Sequence, residues 1–253
     1  MSSLLIENRD GICSVTLNRP DVRNAFDDAL IAEITEAFRG VDARAVVLSG
    51  NGKAFCAGGD LEWMRRSVDL SKEENLRDAE KLQAMFEVID SCPCPVIGKI
   101  HGAAFGGGAG LVSVCDMVVA AEGTKFCFSE VKLGLAPAVI APYAIRKIGP
   151  GNARRYFLTA EVMEAQQAQQ VGLVNEVTLH DHLDDAVQSL LDALKLAGPN
   201  AVRRAKALIR EISSGSVDVQ KRCAETIAEL RVSDEGQEGV RAFLEKRTPN
   251  WAG

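Results

Sequence analysis

Three consecutive glycines and a glutamate further along the chain form the stretch of this sequence best suited to chemistry. Gly106-Gly107-Gly108 lies between an apolar run, residues 96–100, and a helix-like segment. Glycines lack Cβ atoms, so their N–H groups can approach a ligand closely, and the following helix adds a partial positive charge at its N-terminus. Such a place can hold a developing negative charge. Glu130, in the motif SEVKLG, is a carboxylate in an apolar setting that could move a proton there.

A second glycine-bearing loop, residues 53–61 (KAFCAGGDL), also lies between an apolar run and a helix-like segment. Neither loop matches a nucleotide-binding motif. No Gly-Lys-Ser/Thr follows Gly108, and Leu111 stands where the dinucleotide fingerprint requires a glycine. The sequence also contains no Gly-x-Ser-x-Gly, the motif of many serine hydrolases. What remains is the combination of two glycine loops with one carboxylate.

Length and charge restrict the class of protein. The chain has 253 residues, enough for one sizeable core or for one domain with a small appendage. Its net charge of −6 argues against nucleic-acid binding, which usually needs a basic surface. Charges at Glu7 and Arg9 interrupt any signal-peptide core, and charged residues and glycines break the longest apolar stretch. We therefore expect a cytoplasmic protein, or the mature form of an organellar one, without a membrane span.

Cysteine and histidine usage gives no indication of a metal centre. Seven scattered cysteines, most of them in apolar runs, predict buried reduced thiols. Cys92-Pro93-Cys94 lacks the two-residue spacer of zinc and redox pairs. The three histidines have no metal-ligand spacing: His101 is expected to have a hydrogen-bonded structural role, and His180 and His182 are expected to be solvated. We therefore expect no bound metal.

Strands and helices in alternation must position the glycine loops and the carboxylate. Apolar patterns bounded by turn residues predict strands at 4–7, 12–17, 45–49, 96–100, 117–121 and 172–177. Helical patterns cover 27–38, 62–90, 111–115, 142–148, 153–158, 165–171 and nearly everything from residue 182 onward. The order strand, strand, helix recurs, and helices take over at the end. We therefore predict an α/β core over residues 1–197 and a C-terminal helical subdomain over residues 198–253.

Several motifs in order resemble those of the crotonase (enoyl-CoA hydratase/isomerase) superfamily over essentially the whole length. They are LNRPDVRNAF, GKAFCAGGDL, HGAAFGGGAGLVSVCD, FCFSEVKLGLAP and the tail SDEGQEGVRAFLEKRTPNW. The resemblance implies a spiral core of ββα units, a C-terminal trimerisation region and a homo-oligomer, either a trimer or a dimer of trimers. It also implies an acyl-CoA thioester substrate, with coenzyme A as part of the substrate and no separate cofactor.

The resemblance also implies roles for individual residues. The backbone N–H groups of Gly59 and Gly107 would form an oxyanion hole for the thioester oxygen, and Glu130 would be the general acid/base. Arg23 or Arg19 would lie near the CoA phosphates, and Lys246 and Arg247 of a neighbouring subunit could add contacts. The residues that would bind substrate and CoA are Arg23, Ala25, Ala57, Gly58, Gly59, Asp60, Leu61, Phe105, Gly106 and Gly107.

The sequence departs from the usual hydratase pattern at Gly110. Typical hydratases of the family carry a glutamate there as well as at the position of Glu130, and the two together handle water and its proton. We expect the glycine to remove a carboxylate and to open space near the reacting carbon. Glu130 could act alone if apolar neighbours raise its pKa; Phe126, Phe128, Val131 and Leu133 are the expected ones. Asp60, Glu62 or a bound water could supply a second proton-transfer group.

A narrower resemblance points to bacterial methylglutaconyl-CoA hydratases of leucine breakdown. It rests on AGGDLEWM and on the segments 130–143 (EVKLGLAPAVIAPY) and 154–161 (RRYFLTAE). A branched, carboxylated acyl group would gain from space and from one negative charge fewer at Gly110, since like charges repel strongly in a desolvated pocket. The alternatives are a generic short-chain enoyl-CoA hydratase, an enoyl-CoA isomerase and a non-catalytic acyl-CoA-binding paralogue.

Overall fold

The computed structural model describes residues 2–252, whose strands form a six-stranded and a three-stranded sheet. The strands are β1 Leu4–Arg9, β2 Ile12–Leu17, β3 Ala45–Gly50, β4 Val96–Ile100, β5 Ala103–Phe105, β6 Met117–Ala121, β7 Lys125–Cys127, β8 Met163–Glu164 and β9 Glu176–Thr178. The helices are α1 Asp28–Arg39, α2 Leu61–Ser67, α3 Lys72–Asp90, α4 Gly107–Val114, α5 Ala141–Thr159, α6 Ala165–Gln170, α7 Leu183–Leu196, α8 Pro199–Ser213, α9 Val219–Val232 and α10 Asp234–Glu245.

The large sheet has the order β1-β2-β3-β4-β6-β9 and is parallel except for the first hairpin. Asp10 and Gly11 join β1 to β2 with positive φ angles of 51° and 75°, the Asp-Gly geometry that suits the twist of a tight hairpin. β3 is buried on both faces, which explains its continuous apolar sequence. The sheet therefore has helices on both sides.

The two faces of the large sheet are covered by different helices. α7 places Leu183, Val187 and Leu191 against one face, together with Val47 and Val119 of the sheet. The opposite face belongs to a larger core, to which α1 and α3 contribute their apolar stripes. Its buried helical side chains include Leu30, Ile34 and Phe38 of α1 and Met85, Phe86 and Ile89 of α3.

The small sheet continues beyond its three strands and explains how the glycine loops come together. β5 pairs with β7 in parallel, and β7 pairs with β8. Two single parallel bridges extend this layer: Cys56 pairs with Ala104 of β5, and Phe26 pairs with Gly59. Apart from the antiparallel β8, these extended segments therefore lie side by side and run in the same direction. The loops that follow them emerge at one edge, where ligands bind in parallel α/β sheets.

The structure corrects several predicted elements. The predicted helix 62–90 is two helices, because Ser71 starts α3 with a capping box in which Ser71 N–H donates to Glu74 at 2.8 Å. The predicted helix 111–115 already begins at Gly107, and β5 and β7 were not predicted. The strand predicted over 172–177 is limited to Glu176–Thr178.

The C-terminal helices contact the core through α8. Lys206 of α8 is buried, and its ammonium donates to Asp116 at 2.6 Å and to the carbonyl of Cys94 at 3.0 Å. Arg44 of the core donates to carbonyls of Leu194 and Ala197 just before α8. The division at residues 197 and 198 stays a prediction. None of the helices in residues 2–252 is both long and apolar enough to cross a membrane.

Candidate active site

Three loops that follow neighbouring parallel segments meet at one edge of the small sheet. The first contains Gly58 and Gly59, the second contains Gly106 and Gly107, and the third contains Glu130. Backbone hydrogen bonds fix their register: Phe105 N–H donates to Cys56 at 3.0 Å, and Gly106 N–H donates to Cys127 at 2.8 Å. The site residues predicted from separate motifs are therefore brought together.

The first two loops touch each other through their glycines. Gly58 has a φ of +97°, which other residues rarely adopt. A Cβ placed on it would lie 2.9 Å from the carbonyl oxygen of Phe105 and 3.7 Å from the backbone nitrogen of Gly107. A Cβ on Gly108 would overlap the carbonyl oxygen of Cys56. Side chains at these positions would separate the loops, which is why glycines are needed.

The backbone N–H groups of Gly59 and Gly107 are free to bind a ligand. Gly107 is the first residue of α4, where an N–H group has no acceptor within the helix. Among residues 2–252, neither N–H has a hydrogen-bond acceptor, although their neighbours Gly106 and Asp60 do. Both glycines keep partial exposure to solvent. Two unpaired donors on adjoining loops, one of them at the N-terminus of α4, are suited to stabilise an oxyanion.

Glu130 presents its carboxylate to the same place. It begins a short 3-10 turn, Glu130–Leu133, and its Oε1 lies 3.6 Å from where a Cβ on Gly106 would be. Its Oε2 is buried and has no hydrogen-bond partner within the described residues. Burial raises the pKa of the Glu130 carboxyl, and a hydrogen bond from its own backbone N–H opposes the shift only in part. A carboxyl group whose pKa is raised is suited to take up and return a proton.

The apolar surroundings predicted for Glu130 need one correction. Phe126 and Phe128 are fully buried beside it in the chain, as predicted. Leu133, however, is 58% exposed because the 3-10 turn directs it to solvent. The inner wall next to Glu130 comes instead from residues further away in the sequence.

A cavity of about 140 Å³ lies against Glu130 and Gly107. It is lined by Leu82, Gly107, Glu130, Ala136, Pro137, Ala138, Val139 and Ile140. Leu82 and the segment 136–140 were not predicted as parts of the site. The small apolar residues after Glu130 were a possible signal, whereas nothing local distinguished Leu82 from other apolar residues of α3.

The space expected at Gly110 is occupied. A Cβ on Gly110 would overlap the Cγ2 methyl of Ile140 and would lie 2.9 Å from Cζ of Phe86. Both side chains are buried. The glycine was expected to widen the pocket, but it does not. It lets Ile140 and Phe86 pack against α4 instead. Gly110 does lack the carboxylate, but the prediction that it opens space was wrong.

Gly110→Ala is expected to lower the free energy of unfolding. Overpacking a core costs about 1–3 kcal/mol, against which the better helix propensity of alanine regains about 1 kcal/mol. The matched control is Gly151→Ala in α5, where a Cβ would meet nothing within 4 Å and helix propensity should give a neutral or stabilising change. Urea unfolding followed by circular dichroism measures both. Equal stability of the two variants would contradict the packing at Gly110.

The segment predicted to contact CoA is held to the first glycine loop by backbone and amide hydrogen bonds. Ala57 N–H donates to the carbonyl of Arg23 at 2.9 Å, and Phe26 N–H donates to that of Gly58 at 2.7 Å. The amide of Asn24, which is fully buried, donates to the carbonyls of Asn51, Ala54 and Phe55 at 2.9–3.0 Å. Ala25 is buried, whereas Arg23 and Leu61 are exposed at the surface, and their contacts with CoA stay predictions.

Arg19 is not free to bind a phosphate, which removes one of the two arginines predicted for that role. Its guanidinium donates to the carbonyl of Ala25 and to Asp60 at 3.0 Å, and it also pairs with Asp27. Arg19 therefore fastens the loop to the start of α2. Of these two arginines, only Arg23 is left as the residue predicted to lie near the CoA phosphates.

Asp60 caps a helix, so its carboxylate is not a second proton-transfer group. It accepts from the N–H groups of Glu62 and Trp63 as the N-cap of α2, and from Arg19. Burial acts to raise the pKa of Asp60, but these three donors outweigh it and hold the pKa below its usual value. Glu62 is exposed and pairs with Arg65. Of the three candidates for a second proton-transfer group, a bound water is the one that remains.

Other residues considered from the sequence have structural partners. His101 Nε2 lies 2.9 Å from the carbonyl of Gly52, in keeping with a structural role. Arg247 pairs with Glu238 at 2.7 Å, and Lys246 ends α10 in a left-handed conformation. Six of the seven cysteines are buried free thiols, as predicted; Cys223 is partly exposed. The described residues contain no cluster of three His, Cys, Asp or Glu side chains suited to a metal ion.

The buried carboxyl of Glu130 makes stability depend on pH. Because its pKa is raised in the folded protein, the folded protein holds this proton more tightly than the unfolded chain does. The free energy of unfolding therefore falls as pH rises from the pKa of this carboxyl in the unfolded chain to its higher pKa in the folded protein. Glu130→Gln is expected to be more stable than the wild type at neutral pH, with the gain fading near pH 4. Urea unfolding at both pH values measures it. A gain that stays constant with pH would contradict the raised pKa.

The comparisons with known proteins agree on one family. The profile of the enoyl-CoA hydratase/isomerase family matches residues 7–253. The chain is 32% identical to 2,3-dehydroadipyl-CoA hydratase of Escherichia coli, with both chains fully covered. A crystal structure of an enoyl-CoA hydratase from Shewanella pealeana is similar at 41% identity with a TM-score of 0.93, covering 99% of this chain and 96% of the other. AtuE of Pseudomonas aeruginosa is 34% identical with a TM-score of 0.96, and both chains are fully covered.

Proposed function

The chain belongs to the enoyl-CoA hydratase/isomerase family, which acts on acyl-CoA thioesters, and we propose that it hydrates a short, branched α,β-unsaturated acyl-CoA or catalyses the reverse dehydration. One observation carries the proposal. Within the described residues, Glu130 has a buried carboxylate oxygen without a partner and lines one cavity with Gly107, whose N–H is unpaired, while the adjoining loop carries the unpaired N–H of Gly59. This is the arrangement that a thioester enolate needs.

In the proposed reaction, Glu130 handles both proton transfers. Its carboxylate takes a proton from water as the water oxygen bonds to the β-carbon, and the electron pair of the double bond moves to the thioester oxygen. The N–H groups of Gly59 and Gly107 hold that oxygen while it is negative; losing one such donor typically raises the barrier by about 3 kcal/mol. The Glu130 carboxyl then returns its proton to the α-carbon. This chemistry needs no cofactor beyond the coenzyme A of the substrate.

The size and charge of the cavity support a short substrate of the 3-methylglutaconyl-CoA type. The cavity volume of about 140 Å³ is small beside the roughly 300–1,000 Å³ of typical ligand pockets. Glu130 is the only charged side chain in the lining formed by the described residues, so a carboxylate on the acyl group would meet one like charge instead of two. The E. coli relative is named for 2,3-dehydroadipyl-CoA, whose acyl group also ends in a carboxylate.

A panel of thioesters tests the proposal. 3-Methylglutaconyl-CoA, crotonyl-CoA and a β,γ-unsaturated 3-enoyl-CoA are compared by the absorbance of the conjugated thioester and by product analysis. We expect 3-methylglutaconyl-CoA to have the highest kcat/KM. A preference for crotonyl-CoA indicates a generic short-chain hydratase. Conversion of the 3-enoyl-CoA alone indicates an isomerase, which one carboxylate could serve. Saturable CoA binding without any turnover indicates a non-catalytic paralogue and contradicts the proposal.

We also propose a homo-oligomer, a trimer or a dimer of trimers. The C-terminal helices expose large apolar side chains that a monomer would leave in water; they are Ile227, Val232, Val240, Phe243 and Leu244. Size-exclusion chromatography with light scattering measures the assembly. A monomer at micromolar concentration would contradict this part of the proposal.

A further inference from the structure

Ile140 forms part of the wall of the cavity that Glu130 and Gly107 also line. Only 3% of its surface is exposed. Its Cγ2 methyl sits over Gly110, where a Cβ would overlap it. The side chain therefore fills the place that any residue with a side chain at position 110 would occupy.

The surroundings of Ile140 hold this wall in place. Ile140 is the N-cap of α5, and its carbonyl accepts from Ala144 N–H at 3.0 Å. Behind Gly110, the ring of Phe86 packs edge-on against Phe26 at 6.5 Å between centroids and lies 6.1 Å from Tyr143. A β-branched side chain has little freedom at χ1, and a close-packed interior does not yield easily. These contacts oppose a displacement of Ile140 by a larger acyl group.

The remaining lining residues are less suited to limit the acyl chain. Ala136, Pro137 and Ala138 have small or rigid side chains, and Leu82 and Val139 are only partly buried. Ile140 combines bulk, burial and a fixed backbone. It also packs on α4, the helix that carries Gly107, so the size of its side chain determines how much of the cavity beside that helix stays open.

We propose that Ile140, seated over Gly110, is the specificity-determining residue that limits the length of the acyl group. This inference rests on the proposed function and adds the residue that sets its substrate size. A hydrophobic pocket discriminates by about 10- to 200-fold for each methylene that it accepts or excludes. Removing the sec-butyl group should therefore admit longer acyl groups without touching Glu130 or the two amide donors.

The test compares Ile140→Ala with the wild type on the best substrate of the thioester panel and on 2-octenoyl-CoA, whose acyl chain is longer than that of crotonyl-CoA by four methylenes. The ratio of kcat/KM for the longer substrate to that for the shorter one is expected to rise at least about tenfold in the variant. The matched control is Ile148→Ala, also in α5 and also 3% exposed but outside the cavity lining, which should leave the ratio unchanged. An unchanged ratio in Ile140→Ala would overturn the inference.

A second variant keeps the test decisive if Ile140→Ala does not fold. Ile140→Val removes one methyl group, costs only about 0.5–1.5 kcal/mol of stability, and should shift the ratio in the same direction by a smaller factor. A wild type that turns over no thioester contradicts the proposed function. A wild type that is active, with ratios that neither variant shifts, contradicts the role of Ile140 alone.

Discussion

Glu130→Gln should lower kcat by about 10³-fold, because a positioned general acid/base typically contributes 10²- to 10⁴-fold. Glutamine keeps the size and the polarity of the side chain but cannot take a proton from water or return one to carbon. Its amide also fits the buried site in which Oε2 of Glu130 has no partner among the described residues. KM for the enoyl-CoA should change little, because no contact with the CoA moiety is removed. Steady-state kinetics on the best substrate of the panel measures both constants.

The matched control for this variant is Glu122→Gln. Glu122 is an exposed glutamate just after β6, so the substitution removes the same charge away from the cavity and should leave kcat unchanged. Binding of CoA by Glu130→Gln, measured by isothermal titration calorimetry, shows that the site is intact. Wild-type kcat in a folded Glu130→Gln would remove Glu130 from the mechanism.

Gly108→Ala should lower kcat by about 10²-fold, because displacing reacting groups by about 1 Å has an effect of that size. The added methyl would overlap the carbonyl oxygen of Cys56. Cys56 belongs to the segment that leads to Gly59. Its N–H donates a hydrogen bond to the carbonyl of Ala103, and its carbonyl accepts one from Phe105 N–H, both in β5. The methyl therefore pushes the two oxyanion donors apart, although it touches neither substrate nor Glu130.

Kinetics and unfolding together separate this effect from a general loss of stability. Gly108→Ala should lose about 1–3 kcal/mol of stability through overpacking, so the fully folded fraction must be confirmed by circular dichroism before kcat is measured. Gly110→Ala overpacks the same helix two residues further on and serves as the control for stability. If Gly108→Ala is folded and retains full kcat, the spacing of the two loops does not control the rate.

The large elements and the glycine loops could be predicted from the sequence, because their patterns are local. The alternation of β2, the buried run of β3 and the stripe of α1 all follow from periodicity. β5 and β7 have three residues each, too few for a period to show. The break before α3 was marked by Ser71 and Glu74, whose spacing is that of a capping box, but the charged run on both sides concealed it.

The candidate site divides in the same way. The two glycine motifs and Glu130 are local signals, and their resemblance to a family predicted that they meet. The occupant of the space over Gly110 is not local: Ile140 follows thirty residues later, and Phe86 precedes it on another helix. A glycine such as Gly110 shows in the sequence only that a side chain is absent. The tertiary packing decides whether a cavity or a neighbouring side chain takes its place. The pairing of Arg19 with Asp60 was hidden for the same reason.

The central claim is that the backbone amides of residues 59 and 107 bind the thioester oxygen while the carboxyl of residue 130 faces the acyl chain. The most direct measurement is a crystal structure of the wild type with a saturated short-chain acyl-CoA. The account predicts a thioester oxygen about 2.7–3.1 Å from both amide nitrogens, with the Glu130 carboxylate beside the α- and β-carbons. A thioester oxygen bound by other groups, or an acyl chain that lies away from Glu130, would contradict it.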